Sequence, residues 1–209
     1  TNKRNFKRLK GGMLSFQDPE AHFDRATKLL NKSDLMSLFY AALEFRFAVE
    51  ARLSHYAERA DDILNKAGNP WKVKVLARHV NSVFGDDDRT YQIEMKTSTM
   101  TKPIIIEYTP ITPEILSILG KVNNFLHYPG VIQCVNDGKE DHLRSLLNRG
   151  LEQLKECLSG GLQGPLIHEK NGQITMVIDA EKYPQLKDQF KSGGQISLRI
   201  NVEPFLKEE

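Results

Sequence analysis

From Ser33 to Ala67 the chain holds neither Gly nor Pro, and Gly68 follows where helices commonly end. A run of that length without a breaker predicts one long helix. Leu35, Phe39, Ala42, Val49, Leu53, Ala60 and Leu64 recur along it at helical spacing. Met36, Tyr40, Leu43 and Phe47 widen the apolar face near its start. A helix apolar over so much of its circumference needs cover from other helices or from a second copy of itself.

The segments around this helix predict an α+β protein: a helical bundle with a long central helix and a small, mainly antiparallel sheet. Asp18 followed by Pro19 marks the start of a helix running to about Asn31, and Ser33 is read as the cap of the long one. A shorter helix is expected from Pro70. Tyr91, Ile93 and Met95 alternate with Gln92, Glu94 and Lys96, the pattern of a half-buried strand. The continuous apolar run PIIIEYT suggests a more deeply buried one. Thr112-Pro113 opens a helix that Tyr128-Pro129-Gly130 is expected to stop, and another spans 139–158. Asn171-Gly172 between two apolar runs predicts a hairpin. A short helix over EKYPQLKDQFK and a strand over QISLRINV follow. The expected organisation is a basic arm and connector at 1–17, a mainly helical region with a hairpin insertion at 18–160, and a strand-rich region at 161–209 in the same domain.

The 209 residues carry a formal net charge of +2 and 40% hydrophobic residues, which excludes a disordered chain. No apolar run reaches the ~20 residues of a membrane-spanning helix, so no membrane partner is expected. Neither is a secretory leader, because no apolar stretch follows the basic start. Cys134 and Cys157 lie in separate segments and read as reduced thiols of a cytoplasmic protein. No Cys/His cluster has metal spacing, and no phosphate loop, dinucleotide fingerprint or nucleophile elbow is present, so neither metal nor cofactor is expected.

Four groups of residues could carry chemistry. Arg46 falls inside the apolar stripe, with Glu50 one turn on. A charge there needs a partner, so the two read either as a buried ion pair fixing helix packing or as a guanidinium lining a cleft. Arg52, His55 and Arg59 share the opposite, polar arc, where they form either an ordinary solvated face or a phosphate-binding one. Lys121, Asn123, Asn124 and His127 crowd the last turns of their helix. An imidazole able to move a 2′-hydroxyl proton beside a cation able to stabilise a phosphorane suits cleavage of a ribose-phosphate bond. A lysine and a histidine at a helix end are also electrostatically favourable without any function. Lys3, Arg4, Lys7 and Arg8 give the N-terminal arm the means to touch phosphates, or leave it simply solvated.

YAALEFRFAVEARLSHY followed by KVNNFLHY resembles the HEPN superfamily of helical bundles. Members typically form dimers, and many are ribonucleases of toxin–antitoxin, abortive-infection and other antiviral systems. Their motif is an Arg, four to six arbitrary residues and a His, often with a polar residue after the Arg. Here Lys121 stands in the Arg place, Val122 follows it, and His127 takes the His place. The resemblance covers roughly residues 33–130. It implies a cytoplasmic homodimer that binds RNA or cuts it without metal, with Lys121 and His127 catalytic and Asn123 or Asn124 positioning phosphate. Arg46 and Glu50 would support the site, and the basic arm would add non-specific affinity. Lys lacks the planar fork of Arg, so the alternative is a non-catalytic, dimeric protein-interaction module.

Overall fold

The computed structural model describes residues 18–57, 89–97, 100–162 and, toward the C-terminus, 167–168, 174–176, 178, 182–183, 186 and 196–204. It is an α+β fold of five described helices and an antiparallel sheet. The helices are α1 (Pro19–Leu30), α2 (Leu35–Ala57), α3 (Pro113–Leu126), α4 (Tyr128–Asn136) and α5 (Glu140–Ser159). The strands are β1 (Arg89–Thr97), β2 (Ile104–Tyr108), β3 (Ile167–His168), β4 (Ile174–Thr175) and β5 (Ile196–Pro204). The basic arm, the stretch from 58 to 88 that includes the helix expected from Pro70, and the Asn171-Gly172 turn lie outside the described residues.

Local chemistry sets most helix starts. Asp18 accepts from the Glu20 N–H and places Pro19 in the first turn of α1. Thr112 Oγ1 accepts from the Ile115 N–H, with Pro113 behind it. For α2 the capping side chain is Asp34, not Ser33: its Oδ1 takes the Ser37 N–H at 2.8 Å. The bonds from the Ser37 hydroxyl and N–H hold the Asp34 carboxyl below its ordinary pKa.

α1 and α2 form an antiparallel pair, and α3 and α5 close around α2. α3 and α5 are themselves antiparallel: Glu114 pairs with Arg149 at one end, and the Phe125 ring meets His142 at the other. Gly150 makes the three-helix crossing possible. A Cβ there would stand 2.7 Å from the Phe45 ring of α2 and 3.1 Å from Ile118 of α3. Arg144 of α5 closes the free carbonyl end of α1 through Leu30 O and Lys32 O.

The sheet order is β2-β1-β5, so the strand expected over QISLRINV pairs with β1 along nine residues, from Arg89↔Pro204 to Thr97↔Ile196. Ile93 and Met95 of β1 face the core as their alternation predicts. β2, expected to be the more deeply buried strand, is covered on one face only: Ile106 and Tyr108 are buried and Ile105 is exposed. β3 and β4 pair across the expected hairpin position. Among the described residues no helix is long and apolar enough to cross a membrane.

The Asp34 cap yields a pH prediction. Its folded pKa is lowered, so its contribution is present above the ordinary carboxylate range and lost as pH falls through the folded value. Asp34→Ala is expected to lower Tm at neutral pH, with the gap to wild type closing once pH drops below about 4. Thermal melts across pH check this; a gap that stays constant into acid contradicts it.

Candidate functional site

Among the described residues, exposed large apolar side chains gather on the outer surface of α2 and on α4, just past the joint between α3 and α4. The first surface is set by what α2 buries on its other side. Leu38, Ala41, Ala42, Phe45, Ala48, Val49, Leu53 and Tyr56 form its inner face. By 100° steps that face lies opposite Met36, Tyr40, Leu43 and Phe47. The three alanines let neighbouring helices come close.

Arg52 belongs to the inner face. It is only 2% exposed, so it does not stand on a polar arc and presents nothing to a phosphate. Its Nε donates to the Tyr56 hydroxyl at 3.0 Å, and its NH2 group donates to Cys157 O at 2.9 Å and Leu162 O at 3.1 Å. These bonds tie α2 to the carbonyl end of α5 and to the chain leaving it. Around them the Tyr56 and Tyr108 rings meet edge to face, with centroids 5.9 Å apart. Burial pushes both phenols up, so they stay neutral. Cys157 donates its thiol to Pro110 O, and burial pushes it up to about 12, which removes it as a nucleophile at neutral pH. Lys182 adds a second cation to the same helix end, through Leu158 O and Gly160 O.

Arg46 and Glu50 do pair, Nε to Oε1 at 2.7 Å, but on the flank of α2 and half-exposed rather than buried in the stripe. They satisfy each other and, among the described residues, reach no further partner. His55 is half-buried. Arg59, Lys3, Arg4, Lys7 and Arg8 lie outside the described residues.

At the other candidate site α3 stops at Leu126. His127 is extended (φ −88°, ψ 147°), and α4 begins at once with Tyr128 and Pro129. Tyr-Pro-Gly therefore starts a helix instead of only ending one. His127 stands just past the last turn of α3 as its C-cap and is at the same time the N-cap of α4, where its side chain makes no capping hydrogen bond. Gly130 is required by this joint, since a Cβ there would overlap Asn124 O. Lys121, Asn124 and His127 are exposed, and Asn123 is half-buried with an Oδ1 that finds no hydrogen-bond partner. Tyr128, 78% exposed, leads an apolar row on α4 that continues through Ile132 and Val135.

One charged cluster escaped the sequence reading. Glu44 of α2 gathers His22 and Arg25 of α1: its Oε2 lies 2.6 Å from His22 Nδ1 and accepts from Arg25 Nε at 3.0 Å. The buried His22 ring leans on Phe47, with centroids 5.4 Å apart. The His22-to-Arg25 spacing of three was the available signal, but nothing in the sequence states that α1 crosses α2 at Glu44. Among the described residues no group of three or more His, Cys, Asp and Glu stands together to hold a metal.

The most exposed large apolar residues of α2 are Met36 at 59%, Tyr40 at 53% and Phe47 at 37%. They lie in one row on the face directly away from the core. No family model, no curated protein and no solved structure matches the chain.

The role of Arg52 is open to a direct test. Arg52→Met leaves a tyrosine hydroxyl and two buried carbonyls without their donor, and is expected to cost about 3–5 kcal/mol. Arg52→Lys keeps the charge but cannot span all three acceptors, so its loss is expected to be smaller. Urea unfolding measures both; a methionine variant as stable as wild type contradicts the assignment.

Proposed function

We propose that the protein is a non-catalytic interaction module that works as a homodimer in a cytoplasm, with the outer row of α2 as its contact surface. The observation that carries this reading is the apolar row Met36, Tyr40, Leu43, Phe47 on the side of α2 turned away from the core. Exposed single apolar residues are ordinary, but a contiguous row on one helix face is how helices present themselves to other helices.

A second reading keeps the HEPN resemblance and its chemistry: RNA binding, or metal-independent RNA cleavage in a bacterial defence or toxin system. It is favoured by the exposure of Lys121, Asn124 and His127 around one joint, with Tyr128 beside them as a surface on which a base can stack. Against it stands the missing arginine fork.

Light scattering over a concentration series tests the first reading. Wild type is expected to move from the mass of one chain toward that of two, and Tyr40→Asp to stay at one. Ile132→Asp, on the α4 row, is expected to dimerise like wild type. A wild type that stays monomeric throughout contradicts the module. Labelled RNA incubated without metal tests the second: the module reading expects no cleavage and no salt-dependent affinity. Cleavage that disappears in His127→Ala would replace the module with the nuclease.

A further inference from the structure

We infer that two copies of α2 pack antiparallel about a two-fold axis beside residues 41 and 42, setting Met36 against Phe47 of the second copy and Tyr40 against Leu43. This rests on the self-association proposed above and adds its geometry. The outer row advances by four, three and four residues, so it follows the 3.5-residue repeat of a two-helix seam. It covers eleven residue steps, or about 16 Å of helix, and presents four layers. Leu43 is half-exposed and stands outside the chain's own core cluster, and Phe47, which rests on His22 at one side, is still 37% exposed, so the row is open to a second copy.

Antiparallel packing is selected by shape and by charge. With α2 antiparallel to its copy, every layer joins one ring to one aliphatic side chain: Met36 with Phe47, and Tyr40 with Leu43. Parallel packing would oppose Phe47 to Phe47 and Tyr40 to Tyr40, then Met36 to Met36 and Leu43 to Leu43, leaving two layers overfilled and two underfilled. The layer after Phe47 is occupied by Glu50. In parallel packing that carboxylate faces its own copy. In antiparallel packing it comes beside the exposed Ser33 and Lys32 that precede the partner helix. The flanks agree. Arg46 comes beside Phe39 of the copy, and Glu44, held by His22 and Arg25, faces the side on which Ser37 of the copy is buried, so no like charges meet. A seam of four layers covers less surface than a stable dimer usually does, so the association is weak and reversible.

Cysteine crosslinking in the full chain reads the geometry directly. Cys134 and Cys157 are both buried, so the starting protein is expected to give no crosslink under mild oxidation. A mixture of Met36→Cys and Phe47→Cys chains is expected to give the mixed crosslinked dimer, as is a mixture of Tyr40→Cys and Leu43→Cys. Met36→Cys alone and Phe47→Cys alone are expected to give little. Efficient self-linking at 36 and at 47 would establish parallel packing and overturn the inference. A dimer by light scattering with no crosslink in any arm would place the interface elsewhere, overturning this geometry while leaving self-association intact. A chain that stays monomeric would overturn both. In a second arm, Glu50→Lys is expected to weaken the dimer about fivefold and Lys32→Glu in the same chain to restore it. Failure of the double variant to recover removes the charge argument for this register.

Discussion

A guanidinium withdrawn from water holds this architecture together. Arg52 stands on the innermost face of α2, and its desolvation is tolerable because a hydroxyl and two carbonyls receive its protons. Those carbonyls belong to the end of α5 and to Leu162, the residue whose N–H meets Glu107 O at the end of β2. One side chain thus joins the helical layer to the sheet. Helix ends carry unpaired carbonyls with partial negative charge, and cations reached from other elements close two of them here: Arg52 and Lys182 at α5, Arg144 at α1. These long-range caps add directional bonds between elements to the packing of the apolar core.

Fixing the inner face of α2 also fixes what is left outside. The pairing of α1 through Glu44, the crossing of α5 at Gly150 and the Arg52 bonds leave one rotational setting for the helix. In that setting Met36 and Tyr40 face away from the other described elements, and Phe47, resting on His22 at one side, keeps part of its ring exposed. Fold and proposed interface are therefore two consequences of one orientation. The α3–α4 joint, where His127 and Lys121 lie, is organised separately by the Gly130 approach to Asn124 O.

Much of the fold was legible in the sequence, because caps and alternation act locally. Asp18-Pro19 and Thr112-Pro113 start helices where they should, and Ile93 and Met95 face inward. Two misreadings come from α2, which is apolar over most of its circumference. The expected stripe held Ala42, Val49 and Leu53, which are buried, but it ran to one side of the true inner face, which also takes in Leu38, Ala41, Phe45, Ala48 and Tyr56. That offset placed Arg46 in the core and Arg52 in solvent, whereas Arg46 is half-exposed and Arg52 is buried. β2 was expected to be the more deeply buried strand because of its apolar run, but an antiparallel sheet can leave one face uncovered, and Ile105 is on that face. α4 was missed because Pro129 was read as a stop, when proline is equally suited to a first turn. The His22–Glu44–Arg25 cluster depends on one helix crossing another, which residue spacing does not encode.

Hydrogen exchange on Arg52→Lys, compared with wild type, addresses the central claim most directly, because the lysine variant keeps the charge and removes only the reach. The account predicts that protection falls selectively at the last turn of α5, at Leu162 and at the Glu107–Tyr108 end of β2, while α1 and the first half of α2 keep theirs. Protection lost evenly across all five described helices, or unchanged at the α5 end, would contradict the view that Arg52 is what joins bundle to sheet.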